Sequence, residues 1–330
     1  MLVLTPKGLF CPAGNFYIDP SGKVENAVIT HAHSDHARRG SAQYFSTISG
    51  ETLLRTRLGK NISVSSFAFS TQFKLGEVEI SFHPAGHILG SAQIRLEHQG
   101  EVWVASGDYK RDPDPTCEAF EVVTCDVFIT EATFGTPAYA WKKDANLGAE
   151  IFQWWSENSV KKQNSVLFAY SLGKAQRVLG LLEPYAKKPV ICHAASAPLT
   201  ECYRQQGIKL AETLCLSQVP DQTIMNTELF LVPQAFLKSE QSHLLGENFQ
   251  TAFASGWMAK DFGSFDRGFL LSDHADWNDL VNTVLQTKAK KVFVQHRGNG
   301  ALVKHLRKLG IKAFPDSALV QKSPQQMALF

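Results

Sequence analysis

Three histidines and an aspartate fall within six consecutive positions of the stretch VITHAHSDHARRG (28–40): His31, His33, Asp35 and His36. Imidazole and carboxylate are ligands that suit zinc and manganese alike. In extended backbone, residues two apart face the same way, so His31 and His33 converge on one point at the mouth of a strand. Ser34 is placed to cap a helix starting at Asp35, which would turn Asp35 and His36 towards a second point nearby. That spacing reads as a pair of metal ions. Two ions roughly 3.5–4 Å apart call for about seven protein ligands, one of them a bridging carboxylate. Later strand ends supply the remainder: His87 in PAGHILGSAQ, Asp108 in VASGDYKRD and His296 in VFVQHRGNG. A lone histidine is more often a core or surface residue; HxHxDH with three strand-end partners is a metal pattern.

The elements that must carry these residues are short strands at first. KVENAVIT (23–30) ends at the histidine cluster, GEVEISFHPAG (76–86) runs into His87, and CDVFITEATFG (125–135) runs into Glu131. SAQIRLEHQGEVWVASGD (91–108) holds two alternating runs that meet at HQGE, a hairpin with its glycine at the bend. From about residue 144 helices and strands alternate: ANLGAEIFQWWSENSVKKQ, NSVLFAY, LGKAQRVLGLLEPYAKK, PVICHA, APLTECYRQQGI and TELFLVPQ. Such alternation predicts a parallel sheet in βαβ units, with Trp154 and Trp155 in its core. YSLGKAQRV (170–178) places Ser171, Gly173 and Lys174 at a strand-to-helix turn, where N–H groups and a helix end suit a phosphate. His193 ends the next strand and is expected to face the same cleft. The basic clusters Lys110–Arg111, Lys187–Lys188 and Lys288–Lys291 read as solvated surface.

Composition narrows the setting. At 330 residues, 44% hydrophobic and 19% charged, the chain can bury a large core, enough for two domains or one with a large insertion. A net charge of +2 neither demands nor excludes nucleic acid. The six cysteines include no CxxC pair, which argues against a secreted disulfide framework and for reduced thiols in the cytoplasm. No window approaches the length of a membrane span, so no membrane partner is expected.

Taken together, HxHxDH, AGHILGSA and SGD resemble the metallo-β-lactamase superfamily, and ITEATFG, SLGKAQ and LSDHADW resemble its β-CASP nuclease branch. The combination of FDRGFLLSDHADW with VFVQHRGNGALVKHL is most similar to bacterial ligase-associated DNA exonucleases. The resemblance implies an α/β fold: a metallo-β-lactamase αββα sandwich from residues 1–150 and 266–330, with a parallel-sheet β-CASP domain inserted at 151–265 and the active site in the cleft between. It implies two divalent metal ions, zinc or manganese. His31, His33, His87 and Asp108 would hold the first, and Asp35, His36, Asp108 and His296 the second. Asp19, in FYIDP, matches the aspartate that orients the ligand loop. Glu131 and His274 match the acidic residue and histidine of the first two β-CASP motifs. His274 suits the general acid on the leaving oxygen, with Glu131 orienting its ring; Asp35 and Asp108 complete the catalytic set.

The function so implied is phosphodiester hydrolysis, most similar to that of a DNA exonuclease of repair, with DNA as substrate and a DNA ligase and helicase of the same system as partners. QMALF (326–330) resembles the short sliding-clamp-binding pentapeptide of bacterial repair proteins, its anchors being Gln326, Leu329 and Phe330. A tail (322–330) that folds back on its own sheet is the alternative. An RNA-processing nuclease of the same fold, a small-molecule metallo-hydrolase and an inactive scaffold are the other readings. The hydrolase would have no need of Glu131, His274 or the long inserted segment; the scaffold sits badly with so full a ligand set.

Overall fold

Alternation of apolar and polar residues makes Ala92–His98 and Glu101–Ala105 an antiparallel pair, turned by Gln99 (φ 51°) and Gly100 (φ 77°). Two consecutive left-handed residues give the hairpin turn whose twist matches that of its strands. The pair lies inside a seven-stranded sheet, in the order Lys312–Pro315, Lys291–Val294, Val127–Thr130, Glu101–Ala105, Ala92–His98, Val78–Pro84, Phe73–Leu75. The computed structural model describes residues 1–141, 146–219, 226–260, 263–295 and 300–320. They form a mixed α/β structure of two units. Unit 1 is Met1–Asp112, Glu118–Ala140 and His274–Phe330; unit 2 is Pro113–Cys117 and Trp141–Asp273.

Unit 1 has a second sheet of six strands, Val3–Thr5, Gly8–Cys11, Phe16–Ile18, Asn26–Val28, Gln43–Thr47 and Val64–Phe67, paired in that order. The inner faces of the two sheets share one core: Leu9, Phe16, Ile18 and Val28 from one meet Ile80, Phe82, Ile94 and Ile129 from the other. Helices cover the outer faces. Ile48–Leu58, capped by Thr47, buries Leu53, Leu54 and Leu58 beside the six-stranded sheet. Trp277–Thr287 and Gly300–Lys308 bury Leu280, Val284, Leu302 and Leu306 against Val104, Phe128 and Val292. The layers are therefore helix, sheet, sheet, helix, each apolar face covered by its neighbour.

Unit 2 is a parallel sheet ordered Thr213–Cys215, Val190–Cys192, Leu229–Val232, Asn164–Phe168, Phe249–Ala254, Arg267–Phe269. Successive residues enter opposite cores: Leu167 and Leu231 pack with Trp154, Trp155 and Val178, whereas Val166 and Phe230 pack with Leu216 and Phe236. Burial on both faces explains why NSVLF and LFLV are nearly continuous apolar runs.

The structure departs from the expectations in four places. Residue 150 lies inside the helix Leu147–Val160, and 266 immediately precedes a strand that pairs with Phe249–Ala254. Hydrogen bonding and packing therefore move the unit breaks to 140/141 and 273/274, and add Pro113–Cys117 to unit 2. No helix starts at Asp35; the His33 carbonyl instead accepts from the N–H groups of His36 (3.2 Å) and Ala37 (2.8 Å), closing a single turn. The strands Thr213–Cys215 and Phe249–Ala254 escaped the apolar pattern because several of their side chains are only half-buried. Lys110, expected at a solvated surface, is 1% exposed.

Gly90 is a tight point under the site. Its φ is +70°, and a Cβ there would come within 2.2 Å of the Gly50 nitrogen. Gly90→Ala should lower unfolding stability by about 2–4 kcal/mol, read as a lower urea midpoint at unchanged slope.

Candidate metal centre

Five residues of the cluster follow the carboxyl ends of strands. Asp19 follows Phe16–Ile18, His31 follows Asn26–Val28, His87 follows Val78–Pro84, Asp108 follows Glu101–Ala105 and Glu131 follows Val127–Thr130. The last three strands run in one direction within one sheet, so their ends share an edge. His274 comes from the segment before the helix capped by Asp276, and is tied in by the Ala275 N–H donating to the Tyr109 carbonyl at 2.7 Å.

One carboxylate oxygen is the focus. Asp108 Oδ2 lies 3.4 Å from His36 Nε2, 3.6 Å from His31 Nε2, 3.7 Å from His87 Nε2 and 4.0 Å from His274 Nδ1. His33 Nδ1 is 3.0 Å from His87 Nε2. One ligand atom from each of His31, His33, His87 and Asp108 lies within 4.8 Å of the others, and the same holds for Asp108, Glu131 and His274.

The hydrogen bonds behind these atoms fix which nitrogens carry lone pairs. Asp19 Oδ1 accepts from the Thr30 N–H (2.8 Å) and Oδ2 from the Thr30 hydroxyl (2.5 Å). Having donated to Asp19, the Thr30 hydroxyl is an acceptor for His31 Nδ1, 3.0 Å away. That places the proton on Nδ1 and the lone pair on Nε2, a buried atom with no hydrogen bond among the described residues. A lone pair aimed at a carboxylate oxygen 3.6 Å away needs a cation between them, so the donor set fits a metal ion. His36 Nδ1 likewise meets Asp19 Oδ2 at 2.7 Å, turning Nε2 inward. Ligating histidines characteristically hold their second nitrogen in such a bond.

Charge tells the same story. Burial, aided by His36 and His87, holds the His31 imidazole well below its ordinary pKa, so it is neutral. For His36, burial also acts to lower the pKa, but Asp108 and Asp19 outweigh it and raise it well above the ordinary value. A proton there does what a bound cation would do, which is why ligation displaces protons. Glu131, 1% exposed, accepts from Tyr109 N–H (2.7 Å) and Thr133 N–H (3.3 Å), and its two oxygens meet His274 Nδ1 at 3.1 and 3.0 Å. Asp35 differs from its neighbours: its side chain is 73% exposed, with Oδ2 3.8 Å from His36 Nε2.

No family model matches the chain. It is 30% identical over 338 residues to a protein of Opitutus terrae named a probable DNA ligase, across 97% of this chain and 32% of that one. It is 29% identical over 127 residues to endoribonuclease YSH1 of Gibberella zeae, and 31% identical over 107 residues to YSH1 of Saccharomyces cerevisiae. The chain is a relative of the metallo-β-lactamase/β-CASP nucleases. It spans about a third of the ligase-named relative's length, and 15% and 13% of the two endoribonucleases, which match 37% and 32% of this chain. A crystal structure of a protein of unknown function from Enterococcus faecalis V583 shares the fold, with a TM-score of 0.55 at 14% identity over 83% of this chain and 76% of that one.

The other expected residues of this β-CASP relative lie elsewhere. Ser171, Gly173, Lys174 and His193 belong to unit 2. The Gly173 N–H is taken by the Gln176 side chain (2.7 Å), Lys174 Nζ is buried 3.1 Å from Asp273, and His193 Nδ1 accepts from Ala195 N–H (3.1 Å). His296 and the tail residues Gln326, Leu329 and Phe330 lie outside the described residues. Among the described residues no helix is long and apolar enough to cross a membrane.

Sequence reasoning passed over three supports. Thr30, bonded as above, directly precedes the first histidine, and that adjacency was its only signal. Arg57 donates to the Ala32 carbonyl between the paired histidines. Glu118 accepts from Gly90 N–H (3.0 Å) and Ser49 (2.6 Å), bracing the His87 turn, whose own N–H donates to Ser91 Oγ at 3.0 Å. Asp19→Asn should weaken zinc binding by about 10- to 100-fold, measured by competition with a chromophoric chelator, with little change in the circular-dichroism spectrum.

Proposed function

We propose that the chain is a two-metal phosphodiesterase, a DNA exonuclease of repair, with unit 1 as the metallo-β-lactamase core and unit 2 as the β-CASP insertion. The observation that carries this reading is the convergence of four imidazoles on Asp108 Oδ2 at 3.4–4.0 Å, beside a Glu131–His274 pair. His31, His33, His87 and Asp108 would hold one ion, and Asp35, His36 and Asp108, with His296, a second. Zinc or manganese held there would supply an activated water near neutral pH and offset charge on the phosphoryl oxygens.

The chain's own groups do the rest. Asp19 and Thr30 hold the ligand histidines in one tautomer. Glu131 engages His274 at Nδ1 and orients its ring, so that Nε2 delivers a proton to the departing oxygen. Ser171 and His193 serve the substrate strand, while the buried pair of Lys174 with Asp273 holds the Gly173 turn in place. A cytoplasmic setting, with DNA ligase, helicase and sliding clamp as partners, accords with the same reading. RNA processing is the second reading, favoured by the endoribonuclease names of two relatives.

A denaturing-gel assay on end-labelled single- and double-stranded DNA and matched RNA, with manganese or zinc, tests the assignment. Stepwise shortening of DNA, abolished in an Asp35→Ala/His36→Ala variant, is the expected result. Cleavage of RNA alone transfers the protein to RNA processing, and no cleavage of either sinks the nuclease reading. His274→Ala should slow oligonucleotide hydrolysis by about 100- to 10,000-fold. A nitrophenyl phosphodiester, whose leaving group departs without a proton, should lose far less; equal losses on both substrates would remove His274 from the acid role.

A further inference from the structure

Of the aromatic side chains among the described residues, only Tyr170, Tyr185 and Trp257 are more than a third exposed. Two of the three follow neighbouring strands of unit 2. The strands Asn164–Phe168 and Phe249–Ala254 are parallel neighbours with Phe168 opposite Phe253. Tyr170, 59% exposed, comes two residues after Phe168, and Trp257, 45% exposed, four after Phe253. Both therefore emerge at the carboxyl edge of a parallel sheet, the edge at which such sheets take ligands. Ser171 and His193 emerge from the same edge.

The backbones beneath the two rings are fixed. The Tyr170 carbonyl accepts from Ala175 N–H at 3.1 Å, and the Lys174 ammonium lies 4.8 Å from the Tyr170 ring centre. The Trp257 N–H donates to the buried Ser255 hydroxyl at 3.3 Å, opening the short helical turn Gly256–Ala259, which the exposed Lys260 closes. Aromatic side chains on a backbone tied down in advance lose little freedom on binding. Their chemistry matches unpaired nucleobases, which stack on aromatic side chains irrespective of base identity while lysines meet the phosphates. Paired bases in a duplex interior offer no such face.

We propose that Tyr170 and Trp257 form a stacking platform for unpaired bases of a nucleic-acid strand. This rests on the nuclease reading above and adds to it a preference for single-stranded or frayed ends.

The test uses the full chain in EDTA, which prevents cleavage, with fluorescein-labelled dT12, rU12 and a blunt hairpin duplex followed by anisotropy. Tyr170→Ala and Trp257→Ala should each weaken dT12 binding by about ten-fold or more. Tyr170→Phe should keep most of the affinity, and Tyr185→Ala all of it. Similar losses on rU12 would mark the bases, not the sugar, as the ligand, and duplex affinity should change less than two-fold. Quenching of intrinsic fluorescence by dT12, diminished in Trp257→Phe, gives a second readout should an alanine variant fold poorly. A wild type that binds and cleaves strands, with a Tyr170→Ala/Trp257→Ala variant that binds equally well, overturns the platform and leaves the nuclease reading intact. A wild type that neither binds dT12 or rU12 nor cleaves either with manganese overturns both.

Discussion

Four imidazole nitrogens within 4.0 Å of Asp108 Oδ2 are an electrostatic problem that the rest of unit 1 is arranged to contain. His31, His87 and Asp108 are nearly devoid of solvent, and groups so desolvated are tolerated only when charge and hydrogen bonds balance. The balance is incomplete with side chains alone: His31 Nε2 presents a lone pair and finds no hydrogen bond among the described residues. Protonating His36 supplies one positive charge, shared between Asp108 and Asp19. A divalent cation would supply two and satisfy several lone pairs together, which is the sense in which the cluster could hold a metal ion.

Holding such a cluster takes precision from elements that do not depend on long loops. Glu131 follows its strand at once, and His31, His87 and Asp108 each follow theirs within three residues. Their positions are thus set by sheet register. The remaining freedom is removed by cross-ties: the Thr30 carbonyl accepts from Ala92 N–H at 2.8 Å, and Thr47 Oγ1 donates to the Gly90 carbonyl at 2.7 Å. These bonds join the ligand-bearing turns of the two sheets above their common apolar core. A fault in packing at Gly90 is therefore felt at His87, three residues away.

How far this was legible follows from what kind of interaction made each part. The ligand types and their spacing are local, and HxHxDH carries its chemistry on its face. The hairpin at Gln99–Gly100 and the helices Leu147–Val160 and Lys174–Leu182 also follow from short-range periodicity and turn chemistry. What could not be read depends on pairs distant in the chain. Thr30 becomes informative only once Asp19 is beside it, Glu118 only once Gly90 and Ser49 are, and Arg57 only once its guanidinium reaches Ala32. The helix expected at Asp35 failed for a related reason: a cap residue permits a helix, but the chain here must keep His31, His33 and His36 facing one carboxylate. A single turn closed on the His33 carbonyl does that where a regular helix would not.

Lys174 shows how the same residue type can be drawn into folding instead of binding. At a glycine-containing strand-to-helix turn it looks like a phosphate ligand, yet it is 4% exposed and 3.1 Å from Asp273, with Arg177 sharing that carboxylate and also meeting Asp114 at 3.3 Å. Breaking one member of a buried pair typically costs about 3–5 kcal/mol, because the other charge is left without compensation. These pairs tie the short segment Pro113–Cys117 and the residue before His274 into unit 2. A phosphate contact, by contrast, is a solvent-facing interaction that weakens steeply with added salt. The lysine of the turn thus belongs to the scaffold, whereas Lys260 is exposed.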